Sequence, residues 1–276
     1  MKIYAFSDEA ASSLTGQIAA MKRNGLNGSE LRGVDGGNVS DLSPAKAKEV
    51  LRRLKDEGLD VWSLGSPIGK IHIETGDWPA HLERFRRTLE NACLLESRRI
   101  RLFSFYLPKD ARPEDWRSCV IDRMAEMAEI AAPYGVLLCH ENEKGIYGDT
   151  APRCAELLDA VPSLRCIFDP ANFIQCGQDI PEAWELLGKR VDYMHIKDAL
   201  PDGTVVPAGE GIGRLKELLA DFAARGGESV TLEPHLRVFD GLAQLEQGQK
   251  TEIPEGMYAS SDEAFDAACA ALKKII

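Results

Sequence analysis

Short apolar runs, each too brief for a stable helix, alternate along the whole chain with amphipathic stretches of helical spacing. This alternation constrains the fold most, because strands joined by helical crossovers pair in parallel rather than as hairpins. The reading gives strands at Ile3–Phe6, Gly28–Arg32, Leu59–Leu64, Ile100–Phe105, Val136–His140, Cys166–Phe168, Val191–Ile196 and Ser229–Leu232. Helices are expected at Ser12–Asn24, Pro44–Glu57, Pro79–Glu96, Pro113–Pro133, Ala151–Ala160, Pro181–Leu187, Ile212–Arg225 and Ser261–Lys274. Local signals agree: Ser43 can cap a helix whose first residue is Pro44, and Gly25 and Gly58 can close helices. Eight strand-helix units suit a closed (β/α)8 TIM barrel formed by residues 1–276 as a single α/β domain. Count alone does not separate that barrel from an open parallel sheet.

Four of the strands end in groups able to do chemistry. The run Val136–Leu138 leads into His140, Glu141, Asn142 and Glu143; RCIFDPAN reaches Asp169, VDYMHIKD reaches His195 and SVTLEPH reaches Glu233. Side chains alternate along a strand, so Asp169 shares a face with Arg165 and Ile167, His195 with Val191 and Tyr193, and Glu233 with Ser229 and Thr231. The opposite faces carry Cys166, Phe168, Met194, Ile196, Val230 and Leu232, which suit packing under helices. One such residue alone commonly caps a helix or pairs with a base. Four at successive strand ends instead point to a shared divalent-metal site with three oxygen donors and one nitrogen. His140, of opposite parity to Glu141, reads as structural, and His81, within a helix, as a surface residue.

Composition removes several function classes. The 33 Lys and Arg against 44 Asp and Glu give a net charge of −11, which disfavours nucleic acid as a partner. No apolar run approaches the roughly 20 residues of a membrane span, and MKIYAFSDEA lacks a signal-peptide core. The seven scattered cysteines contain no CxxC pair, in keeping with reduced thiols and a cytoplasmic location.

The motifs HENE with IYGDT, FDPAN, HIKD with VPAGEG, and LEPH, together with SPIGK and the opening FSDEA, resemble the sugar phosphate isomerase and epimerase family. These are xylose isomerase-like barrels that include ketose 3-epimerases and endonuclease IV. The resemblance implies that Glu141, Asp169, His195 and Glu233 ligate a divalent ion, Mn²⁺ first, with Mg²⁺, Co²⁺ or Zn²⁺ as alternatives. It also implies proton transfer next to a carbonyl through an enediolate, with Glu141 and Glu233 as the acid–base pair and a small carbohydrate as substrate. Lys197 is a candidate for stabilising the enediolate, or else an ion-pair partner of Asp198. Lys70, Asn172, Glu210 and His235 are further substrate-contact candidates.

The chain departs from the ketose 3-epimerases at Asn172, where those enzymes carry histidine, which puts a simple ketohexose in doubt. A lyase working through the same proton abstraction and a non-catalytic sugar-binding barrel are the alternatives. A three-zinc nuclease fits poorly, since only His195 of five histidines is placed at the mouth. The glycine-rich segment 201–213 and the long connection 234–260 are expected to edge the site, the first as a phosphate cradle or part of a lid. A homo-oligomer is left open.

Overall fold

A computed structural model describes residues 1–239, 242, 251–253 and 256–276. Its eight parallel barrel strands are β1 (Lys2–Ala5), β2 (Gly28–Leu31), β3 (Asp60–Leu64), β4 (Arg99–Leu102), β5 (Leu137–Glu141), β6 (Arg165–Phe168), β7 (Val191–Ile196) and β8 (Ser229–Leu232). They close in sequence order, β8 pairing with β1, so the closed barrel is correct and the open sheet is not. The helices are α1 (Leu14–Arg23), α2 (Pro44–Asp56), α3 (Trp78–Leu94), α4 (Pro113–Ala131), α5 (Ala151–Ala160), α6 (Pro170–Gln175), α7 (Ile180–Leu187), α8 (Leu215–Ala224) and α9 (Ser261–Lys273). No described helix is long and apolar enough to cross a membrane.

The parity of the strands separates two cores. Ile100, Leu102, Leu138, Phe168, Met194, Ile196, Val230 and Leu232 pack outward in the main core beneath the helices. Inside the barrel, Cys139, Ile167 and Tyr193 pack with Trp62 and Leu137, and Trp62 stacks on Tyr4 at 5.0 Å. This interior layer closes the barrel below its mouth, so any ligand must enter from the C-terminal strand ends.

Several expectations are corrected. Helix α6, absent from the sequence reading, begins directly after Asp169, whose Oδ1 accepts the Asn172 N–H at 2.9 Å and caps it. Strand β4 ends at Leu102 because the next backbone groups bond elsewhere: the Phe103 and Phe105 N–H groups donate to Ile68 and Gly69. His81 is buried, not superficial; its Nε2 accepts the Gly69 N–H at 2.9 Å, and burial depresses its pKa to about 4. That contact fixes the loop carrying Lys70. Gly69 itself has φ +88°, and a Cβ there would lie 1.9 Å from the Phe103 carbonyl oxygen.

The glycine-rich segment after β7 is not a phosphate cradle. Its amides are spent on Asp198, whose carboxylate accepts N–H groups from Gly209 at 2.9 Å, Gly211 at 3.1 Å and Gly213 at 2.9 Å. A Cβ on Gly211 would lie 2.3 Å from Asp198 Oδ1, so the clamp requires glycine there. The clamp also delays α8, whose first residue is Leu215 rather than Ile212, after Arg214 in a left-handed conformation. Within the segment Val205–Val206 pairs antiparallel with Asp198–Ala199. Of the connection 234–260, residues 240, 241, 243–250, 254 and 255 lie outside the described residues.

Removing the carboxylate leaves four amides, those of Ala199, Gly209, Gly211 and Gly213, without that acceptor. Asp198→Ala is expected to destabilise the protein by about 2–4 kcal/mol, measured as a lowered urea midpoint, with proteolytic cleavage in 201–213 appearing first.

Candidate metal centre

The inward parity of β5 to β8 delivers Glu141, Asp169, His195 and Glu233 to one end of the barrel, all buried. One donor atom from each lies within 4.8 Å of the other three. Three hard oxygens and one imidazole nitrogen form a donor set suited to a divalent ion. Two oxygens of the set, Glu141 Oε2 and Asp169 Oδ2, are buried and accept no hydrogen bond, although each lies beside a cation. A metal would occupy that unmet acceptor capacity, so the residues fit the group.

A second layer orients the donors. His195 Nδ1 lies 2.8 Å from Glu141 Oε1 and 3.7 Å from Glu233 Oε2, while Nε2 lies 3.1 Å from Glu30 Oε2. Glu30 is also held by the Tyr193 hydroxyl at 3.0 Å. The arrangement leaves Nδ1 for the centre and Nε2–H for Glu30, a carboxylate–histidine pairing that fixes the tautomer. Asn142 donates to the Asp169 carbonyl and accepts the Asp169 N–H, each at 2.9 Å, and Asn172 Nδ2 donates to the Asn142 carbonyl at 2.9 Å.

Sequence reasoning missed Glu30, Arg32 and Arg101. The signal was available, because Glu30 and Arg32 alternate with Leu31, and Arg99 and Arg101 with Ile100, on strands that are buried throughout their middles. Arg101 Nη1 lies 3.2 Å from Glu141 Oε2 and 3.9 Å from Glu233 Oε1. Arg32 is clamped by Asp8 and Glu9 and lies 3.4 Å from Glu233. Lys197 corrects the alternative of a pair with Asp198: its Nζ is 3.0 Å from Asp169 Oδ2 and 2.9 Å from Glu233 Oε2.

Charge coupling shapes protonation within the centre. Burial raises the Asp169 pKa to about 7, partly opposed by Lys197. Burial opposes a charge on His195, yet Glu141 and Glu30 overcome it and hold its pKa up at about 10. Glu233 is also penalised by burial, but Lys197, His195 and Arg101 keep it ionised well below the usual carboxylate range. Burial keeps His235 neutral despite Glu233 and raises Glu9 to about 8 against the pull of Arg32.

A cavity open to solvent lies over this cluster and is lined by Lys70, Asn172, Lys197, Glu233 and His235 among others. Three of the four substrate-contact candidates thus reach it, together with Leu242 and Thr251 from the long connection after β8. The fourth, Glu210, is exposed and is not among the lining residues. His140 is structural, as its parity implies: its Nε2 pairs with Ser104 Oγ at 2.9 Å. His72 is exposed against Tyr106.

A family model described as xylose isomerase-like TIM barrel matches residues 18–257. No curated protein matches the chain. Solved structures with the same fold include the IolI protein with a binding zinc atom, at 18% identity and TM-score 0.74, covering 100% of this chain and 98% of that one. The probable 3-DHS dehydratase AsbF from Bacillus anthracis matches at 18% identity and TM-score 0.75, covering 99% of each chain. D-Psicose 3-epimerase with D-tagatose from Clostridium cellulolyticum H10 matches at 16% identity and TM-score 0.75, covering 99% of this chain and 98% of that one.

Metal affinity reports on this geometry. Removing the Nε2 partner with Glu30→Ala is expected to weaken binding about 10–100-fold, read by chelator competition against a folded control. Protons on His195 and Asp169 compete with the ion, so wild-type affinity is expected to rise with pH, at least about tenfold between pH 6 and 7.

Proposed function

The chain belongs to the xylose isomerase-like TIM-barrel family, and from that premise we propose that it is a divalent-metal-dependent isomerase or epimerase of a small keto-sugar or sugar derivative. The observation that carries this reading is the convergence of Glu141, Asp169, His195 and Glu233 beneath a single cavity. Mn²⁺ is the proposed ion; the zinc in the IolI relative supports a divalent ion without selecting one. The epimerase with D-tagatose supports a small carbohydrate ligand.

Glu141 and Glu233 stand three strand positions apart on the ring and flank Asp169 and His195. In the proposed reaction one carboxylate takes the proton from the carbon next to the carbonyl and the other returns a proton to the opposite face or the neighbouring carbon. Glu233 suits the first role, because it lines the cavity that a substrate would enter. Lys197, held charged by Asp169 and Glu233 against the cost of burial, would donate to the developing oxyanion. A bound divalent ion would supply Lewis-acid polarisation of the carbonyl. Asn172, with Nδ2 3.4 Å from Glu141 Oε1, would hold that carboxylate in position.

The dehydratase relative favours a second reading, a lyase. The same proton abstraction, followed by loss of a group beta to the carbonyl, would give an unsaturated product. Mass analysis separates the two, since isomerisation conserves mass and elimination does not.

Glu233→Gln is expected to lower solvent deuterium incorporation next to the carbonyl by about 10²–10⁴-fold while circular dichroism stays unchanged. Wild-type exchange in that variant would remove Glu233 from the chemistry.

A further inference from the structure

In a chain of net charge −11, the central cavity is lined by five cations, Arg32, Lys70, Arg101, Lys144 and Lys197, against the carboxylates of Glu143 and Glu233. Three of the five have partners outside the metal set. Arg32 is held by Asp8 and Glu9, Lys70 pairs with Glu143 at 3.0 Å, and Lys144 Nζ donates to Thr251 Oγ1 at 3.1 Å. Lys197 and Arg101 differ, since the carboxylates they touch are Asp169, Glu141 and Glu233. A divalent ion would compete with both cations for those same oxygens.

Arg101 is the more exposed to that loss of partners. A guanidinium cannot shed its proton, and a buried charge without compensation is costly. The side chain is 3% exposed, and its guanidinium carbon lies 4.8 Å from the Phe6 ring centroid and 4.9 Å from that of Phe103. Nη2 donates to the Gly65 carbonyl at 3.2 Å, whereas Nε–H is buried and has no hydrogen-bond partner. Glu30 also attracts Arg101 but is hydrogen-bonded to His195 and Tyr193.

We propose that the substrate carries an oxyanion, a carboxylate or a phosphoryl group, and that Arg101 receives it. The proposal rests on the reading of this cavity as a keto-sugar site and narrows the substrate class within it. Charge-assisted hydrogen bonds to a planar guanidinium suit either oxyanion. A neutral ketose would offer the buried Nε–H of Arg101 no charged acceptor.

The test is calorimetric titration of the Mn²⁺-loaded full chain with D-fructose, 5-keto-D-gluconate and D-fructose 6-phosphate, which supply neutral, carboxylate and phosphoryl arms. At least one anionic probe is expected to bind about 10–100-fold more tightly than fructose, and the tighter of the two identifies the group. Arg101→Gln is expected to remove most of that preference, read as the ratio of anionic-probe to fructose affinity within the variant; Arg101→Lys is expected to restore part of it. Metal content and thermal unfolding of each variant establish that it is folded, and the wild-type comparison decides the matter if neither variant folds. Anion affinity no tighter than that of fructose, including no binding of either, overturns the proposal, as does an undiminished preference in folded Arg101→Gln. Deuterium exchange on the same probes separates the two readings. Exchange on fructose without anion preference would leave the isomerase standing alone, whereas anion preference without exchange on any probe would leave the anion site standing alone.

Discussion

Three carboxylates, those of Glu141, Asp169 and Glu233, are buried within a few ångströms of one another at the end of a barrel. Charges of one sign brought this close out of water repel strongly, and the protein must compensate them. The surrounding cations follow from this: Lys197 bridges Asp169 and Glu233, Arg101 touches Glu141, and Arg32 approaches Glu233. They hold the cluster together, along with protons on Asp169 and His195 that a metal would displace.

The same residues connect folding to function. Asp169 uses one oxygen to start α6 and leaves the other facing the centre. The Asn142 and Asn172 side chains tie β5 to the start of α6, so that Glu141 and Asp169 keep their relative positions. Below, Glu30 and Tyr193 lock the His195 ring from inside the barrel. Such support matters because donors to a shared ion must be held in register by the residues around them. The Asp198 clamp does comparable work outside, fixing the segment after β7 without contributing a group to the cavity.

Much of this was legible in the chain. Strand parity alone placed Asp169, His195 and Glu233 on the inner face with Ile167, Tyr193 and Thr231, and the outward residues fell under the helices. Parity also separated His140 from Glu141. What escaped were features set by partners distant in sequence. Lys197 was weighed against its neighbour Asp198, yet the alternation that turns Lys197 inward turns Asp198 toward the glycine amides. His81 looked superficial because a helical position does not reveal that a loop amide will press against it. Glu210 looked like a site residue because its loop follows a barrel strand, but the clamp holds that loop's backbone and leaves the side chain exposed.

The central claim is that a single divalent ion is gripped jointly from β5, β6, β7 and β8. A crystal of the Mn²⁺-soaked protein, measured at a wavelength where manganese scatters anomalously, tests it most directly. One strong anomalous peak is expected at about 2.0–2.3 Å from a carboxylate oxygen of Glu141, Asp169 and Glu233 and from Nδ1 of His195. A peak elsewhere, or Lys197 and Arg101 still paired with those carboxylates and no ion among them at saturating Mn²⁺, would contradict it.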